Sequence, residues 1–135
     1  MRDIGHVQVI ERFLKRLATT VGVRLEVPLP IQGDRRAWDL FLDRLLDRDG
    51  RPIGMPAEVE TRISDAQAQI RKIWLKMRDS SMDAVIVVVA DTPTNRRAIA
   101  AARSTVAGMF PVTARTALAA LAEGRHPGGS CLLFI

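Results

Sequence analysis

The chain has 135 residues, 47% of them apolar and 26% charged, which is enough for one domain (1–135) with its own core and too short for two. Such a balance excludes a disordered chain. The net charge is +5, and 17 of the 20 basic residues are arginine, a surplus that attracts anionic partners, nucleic acid among them.

In chain order, Ile4, Val7, Ile10, Leu14 and Leu17 recur at three and four and predict a helix over 4–20, ended by Gly22. VRLEVPLPI reads as a strand whose Pro28 and Pro30 confine its end to an edge. After the turn GDRR, AWDLFLDRLL is a second strand, and beyond DRDGRPIG a third covers 57–63. Ser64 and Gln67 fit a capping box that opens a helix over about 65–79, with Ala66, Ile70, Ile73, Trp74 and Met77 as its apolar stripe. The β-branched run DAVIVVVADT predicts a central strand, 84–90, covered on both faces. Thr92 as N-cap and Pro93 behind it start a helix that runs towards Gly108. A further helix over roughly 113–123 stops at Gly124, and GSCLLFI is the last strand. The order α-β-β-β-α-β-α-α-β predicts an α/β fold with a mixed sheet: a three-stranded antiparallel meander followed by two crossovers.

Cys131, the lone cysteine, excludes an internal disulfide, and its apolar setting suits a core residue. The longest apolar run, AVIVVVA, is too short to cross a bilayer. MRDIGHVQVIERF lacks the apolar centre of a secretory signal, so the expectation is a cytoplasmic protein with no membrane partner. His6 and His126 lack metal-ligand spacing.

On the third strand Val59, Thr61 and Ile63 alternate with Glu58, Glu60 and Arg62. The two glutamates then share a face, where each raises the other's pKa unless a cation such as Arg62 intervenes. In AWDLFLD, Asp39, Phe41 and Asp43 take one face and Trp38, Leu40 and Leu42 the other. A hairpin of strands two and three brings Asp39 near Glu58. Three acidic oxygen donors on neighbouring strands suit Mg²⁺ or Mn²⁺, which keeps waters, one of which can become a nucleophile. The plain alternative is a solvated E-x-E-x-R strand face.

Asp39, followed after nineteen residues by Glu58-Val59-Glu60 on the next strand, resembles the PD-(D/E)xK, restriction-endonuclease-like nuclease superfamily. Its αβββαβ core matches the element order of residues 4–90, with C-terminal helices and a strand added. The resemblance implies metal-dependent cleavage or binding of DNA phosphodiesters, with Mg (or Mn) held by Asp39 and Glu58 and by Glu11 of the first helix. Glu60 stands where most members have a Lys that orients and activates the attacking water. Some restriction enzymes with Glu there are active, and others recruit a Lys from the next helix, where Lys72 and Lys76 are the candidates. A catalytically inactive nuclease-fold domain serving regulation or protein assembly is the alternative.

A longer string, EVPLPIQGDRRAWDL…EVETRISDAQAQIRKIWLKMRD…VVVADTPTNRRAI, resembles uncharacterised bacterial domains often attached to helix-turn-helix regulators. It supports the fold more than the function, and the stretch before the first strand is too short for a helix-turn-helix. Candidate phosphate contacts are Arg35 and Arg36 before Asp39, Arg62, and Arg96 and Arg97 near a helix N-terminus. With no Tyr and with Trp38 and Trp74 on core-like faces, single-strand binding by stacking is disfavoured. The expected partners are DNA and either a second copy of the chain or a helix-turn-helix regulator.

Overall fold

Alternating side chains on one sheet divide the core into two apolar layers. The computed structural model describes residues 3–135. Its elements are α1 (Ile4–Leu14), β1 (Gly22–Pro28), β2 (Ala37–Leu46), β3 (Pro52–Glu60), α2 (Ala66–Ser80), β4 (Ile86–Val89), α3 (Pro93–Ala101), α4 (Arg103–Met109), α5 (Ala114–Ala122) and β5 (Cys131–Phe134). The five strands lie in the order β1-β2-β3-β4-β5. The first three are antiparallel, and β3, β4 and β5 are parallel. The class is therefore α/β with a mixed sheet, as the element order predicts.

β4 explains the layering. Ile86 and Val88 face a cluster with Val9, Ile10 and Phe13 of α1 and Ala117 and Leu121 of α5. Val87 and Val89 face the opposite cluster, with Ile70, Ile73 and Met77 of α2 and Ile99 of α3. All four residues of β4 are buried because helices cover both faces. Ser130, buried at the start of β5, accepts the Val85 amide at 3.0 Å. Cys131 is buried as expected, and burial pushes its thiol up to about 12. Among the described residues no helix is long and apolar enough to cross a membrane.

Five local expectations change. α1 ends at Leu14, and Gly22 begins β1 instead of closing the helix. Its buried side is Val9, Ile10 and Phe13, while Ile4 and Val7 are 79% and 40% exposed, because the helix meets the sheet through the bulky Phe13. β3 begins at Pro52, inside the expected turn, where Pro52 and Ile53 pair with Leu46 and Leu45, and it stops at Glu60, so Thr61 and Ile63 lie beyond the strand, and Ile63 packs on the α2 side, away from Val59. The α2 N-cap is Asp65, whose carboxylate accepts from the Ala68 amide, while Gln69 rather than Gln67 reaches back to the Ser64 and Asp65 amides. The helix expected to run from 93 to 108 breaks at Ala102, where φ −107° and ψ 20° leave the helical region. No Gly or Pro between 94 and 107 marks that break. Thr92 caps α3 as expected, accepting the Asn95 amide at 3.1 Å.

Gly54 of β3 lies under the Phe41 ring of β2. A Cβ there would sit 2.4 Å from Phe41 Cε1 and 2.7 Å from Cζ. Gly54→Ala must push the ring off its place and is expected to destabilise the fold by about 1–3 kcal/mol, read as a lower urea midpoint.

Candidate functional site

The site forms where β2 and β3 part. Their register runs to Leu40↔Ala57 and would next set Asp39 opposite Glu58. There the side chains take over from the backbone ladder. The Asp39 amide donates to Glu58 Oε2 at 3.1 Å, and the Val59 amide donates to Asp39 Oδ2 at 2.8 Å. Glu58, Val59 and Glu60 stay paired with Val87, Val88 and Val89 of β4. The strand end is thus carried by the parallel half of the sheet, and two carboxylates bridge the gap.

Register with β4 also fixes direction. Glu58 and Glu60 lie beside Val87 and Val89, the residues that face α2. They are a polar interruption in an apolar layer. α2 meets them with a flank displaced by one residue from its buried stripe: Gln69, Lys72 and Lys76 run beside Ile70, Ile73 and Met77. Arg36, Glu58, Glu60, Gln69, Lys72 and Lys76 line an open cleft of about 540 Å³.

Lys76 is the central cation. Its Nζ pairs with Glu58 Oε1, donates to the Ala37 carbonyl at 2.6 Å and lies 5.1 Å from the centre of the Trp38 ring. Glu58 is 5% exposed. Burial pushes its carboxyl pKa well above the ordinary range, the adjoining Asp39 carboxyl adds to the rise, and Lys76 opposes it. Glu60 is raised as well, chiefly by burial, against the hydrogen bond from Gln69. Gln69 has its amide fully used: Oε1 accepts the Ser64 and Asp65 amides, each at 3.0 Å, and Nε2 donates to Glu60 Oε2 at 3.1 Å and the Arg62 carbonyl at 3.0 Å.

From the other side of the sheet α1 supplies His6. Its Nε2 lies 3.0 Å from the Val59 carbonyl and 3.6 Å from Asp39 Oδ2, and its Nδ1 is buried without a partner. His6, Asp39, Glu58 and Lys76 therefore form one line of polar contacts that passes through the sheet where β2 and β3 part. Asn95, buried in α3, holds the chain after Glu60. It accepts the Ile63 amide at 2.9 Å and donates to the carbonyls of Thr61 and Ala90 at 3.0 and 2.9 Å.

Of the residues singled out from the sequence, Asp39, Glu58, Glu60, Lys72 and Lys76 gather here, with Asp39 behind Glu58 and outside the cleft lining. Glu11 does not join them: it is exposed and stands roughly 140° round the helix from His6, the α1 residue that reaches Asp39. Arg62 is exposed past the strand end, so Lys76 and not Arg62 offsets the glutamates. Arg36 lines the cleft with its guanidinium on Asp34 (2.7 Å) and Asp79 (3.0 Å). Arg35 is exposed in the preceding loop. Arg96 pairs with Asp91 at 2.6 Å over the Phe134 ring, and Arg97 approaches Thr94 at 3.4 Å; neither lines the cleft. His6 and Gln69 join the site without a motif in the sequence that points to them. His6 stands three, four and seven residues before Val9, Ile10 and Phe13 and so heads the buried stripe, which was the available signal.

Among the described residues no three His, Cys, Asp or Glu side chains converge with metal-ligand geometry. Asp39 and Glu58 adjoin, and that pair suits a hard cation that takes one or two carboxylates and completes its shell with water and phosphate oxygens. Compared with known protein families, curated proteins and solved structures, the chain gives no match.

The raised Glu58 pKa has a sign. The folded state holds this proton to higher pH than the unfolded chain, so its contribution is complete below the ordinary carboxyl pKa and is lost as pH rises through the folded-state value, above which the ionised Glu58 is paired with Lys76. Urea denaturation of wild type and Glu58→Gln between pH 5 and 8 is expected to show a steeper loss of stability with pH in the wild type.

Proposed function

We propose that the chain is a metal-dependent, restriction-endonuclease-like nuclease domain that acts on DNA phosphodiesters. The observation that carries this reading is the cleft itself: carboxylates at its floor and Lys72, Lys76 and Arg36 around them. Such a layout matches a phosphodiester, whose anionic oxygens need cations and whose hydrolysis needs an oriented water. In an enzyme of this kind, Asp39 and Glu58 would hold Mg²⁺ or Mn²⁺, which when bound would lower the pKa of water and offset charge on the phosphoryl oxygens.

The chain's own residues then divide the work. Glu60, half-buried and fixed by Gln69, is placed to orient the attacking water and take its proton at a carboxylate oxygen. Lys76 comes from the helix after the acidic strand and brings to the cleft the positive charge that most superfamily members place two residues after Glu58. Lys72, exposed on the same flank, is positioned to meet the phosphate backbone. α2 and Trp38 shut water from the inner side of Glu58, where charge interactions are strongest.

A second reading is favoured by the bonds that Asp39 and Glu58 already make. Each carboxylate accepts a main-chain amide across the strand gap, and Lys76 neutralises Glu58. A nuclease fold that keeps these contacts for structure alone would serve regulation or protein assembly.

Cleavage of supercoiled plasmid and of labelled duplex in Mg²⁺ or Mn²⁺ separates the two. Wild type is expected to cut, and Glu58→Gln and Glu60→Gln to lose roughly 10²-fold or more in rate with DNA binding retained. No cutting by wild type across DNA and RNA substrates, with the fold intact, sinks the nuclease reading. Lys72→Ala is expected to weaken DNA binding at all sequences alike and to lower the slope of log K against log salt by about 1, measured by fluorescence anisotropy.

A further inference from the structure

Glu58 is the most enclosed carboxylate of the cleft, and both of its oxygens are engaged. Oε1 takes Lys76 Nζ, and Oε2 takes the Asp39 amide. The ammonium is held at three places: the Glu58 carboxylate, the Ala37 carbonyl and the face of Trp38. Its side chain is 16% exposed, against 6% for that of Glu58. A positive charge therefore already fills the position beside Glu58 that a cation entering from the cleft would take. The two compete for it. A divalent ion on the same carboxylate would meet the ammonium at contact distance, where like charges repel most strongly in this enclosed place.

Lys76 also has somewhere to go. It sits four residues after Lys72 on the flank of α2 that lines the cleft, and its flexible four-carbon stem can carry the ammonium towards the mouth. We propose that Lys76 and a divalent cation hold Glu58 in alternation, and that a phosphate entering the cleft draws the ammonium off and so opens the carboxylate to the metal. The proposal rests on the nuclease reading above and adds to it the order of events: phosphate first, metal second. Without nucleic acid the lysine acts as the resident counter-ion and keeps the site from loading. With nucleic acid, Lys76 exchanges a carboxylate for a phosphate oxygen, and its charge stays paired throughout.

The test is Mn²⁺ binding by isothermal titration without DNA. Methionine matches the lysine stem and has no charge, so Lys76→Met is expected to bind Mn²⁺ at least about tenfold more tightly than wild type, while Lys76→Arg, which keeps the charge, is not. Equal or weaker binding by a folded Lys76→Met overturns the alternation. Should circular dichroism show that this variant has lost its fold, the wild-type site decides through Trp38. In a Trp74→Phe background Trp38 is the sole tryptophan, and its emission reports the ammonium on its ring. Mg²⁺ with an uncleavable phosphorothioate duplex is expected to shift that emission, and saturable binding of both without a shift overturns the proposal. The two readings fail separately. If wild type cuts no nucleic acid and Lys76→Met still gains Mn²⁺ affinity, the alternation stands and the nuclease falls. If wild type cuts and Lys76→Met gains nothing, the alternation falls alone.

Discussion

The pairing of Glu58 with Lys76 is the constraint around which the α2 side of this molecule is arranged. Both groups sit in an otherwise apolar layer that includes Val87, Val89, Ile70, Ile73 and Met77. Removing two charges from water costs several kcal/mol each, and apolar residues of similar size would commonly hold such a layer as well or better. The pair is therefore poor evidence of selection for stability and better evidence of a use for a carboxylate in a dry place. Its consequences spread outward. Lys76 ties α2 to the start of β2 through the Ala37 carbonyl, and Glu58 holds the Asp39 amide where the β2–β3 ladder has ended. Gln69 and Asn95 then fix the chain on either side of the turn that leaves Glu60.

Much of this was legible in the sequence, for identifiable reasons. β4 announced itself because a strand covered on both faces can be apolar throughout. The bounds of β2 are legible because Trp38, Leu40 and Leu42 recur at every second position, but the three do not share a face: Trp38 packs in the α2 layer and Leu40 and Leu42 in the α1 layer. The approach of Asp39 to Glu58 followed from a hairpin and from side-chain period alone. What stayed hidden depends on tertiary direction. Val59, Thr61 and Ile63 look like one face of a continuing strand, but the chain turns after Glu60, and Ile63 ends in the opposite layer. The strand alone offers Arg62 as the cation beside the glutamates; the one that pairs with Glu58 is Lys76, a candidate that comes from the resemblance and not from strand periodicity. His6 has no ligand spacing in the chain and reaches Asp39 only because α1 lies across the gap between β2 and β3.

The +5 charge is spread less evenly than the count of arginines implies. Arg24, Arg36, Arg78, Arg96 and Arg125 each lie against a carboxylate, of Asp43, of Asp34 and Asp79, of Asp79 again, of Asp91 and of Glu123. Such exposed pairs add little stability, but they cancel positive potential locally. The guanidinium of Arg36 orders the 34–37 segment against α2, a geometric role that a lysine at this position would fill poorly, since it lacks the planar fork that meets two carboxylates at once. Lys72, which has no such structural duty among these contacts, is the cleft cation most exposed to an arriving anion.

Cys131 has a practical consequence. The thiolate is the species that reacts with alkylating reagents, and a buried thiol held far above its usual pKa supplies almost none. The native chain therefore behaves towards maleimides as though it had no cysteine. A single cysteine placed on the exposed flank of α2 would take a spin label or fluorophore with the native thiol left in place. Distances from that helix to a marked nucleic acid could then be measured in a protein whose core is untouched.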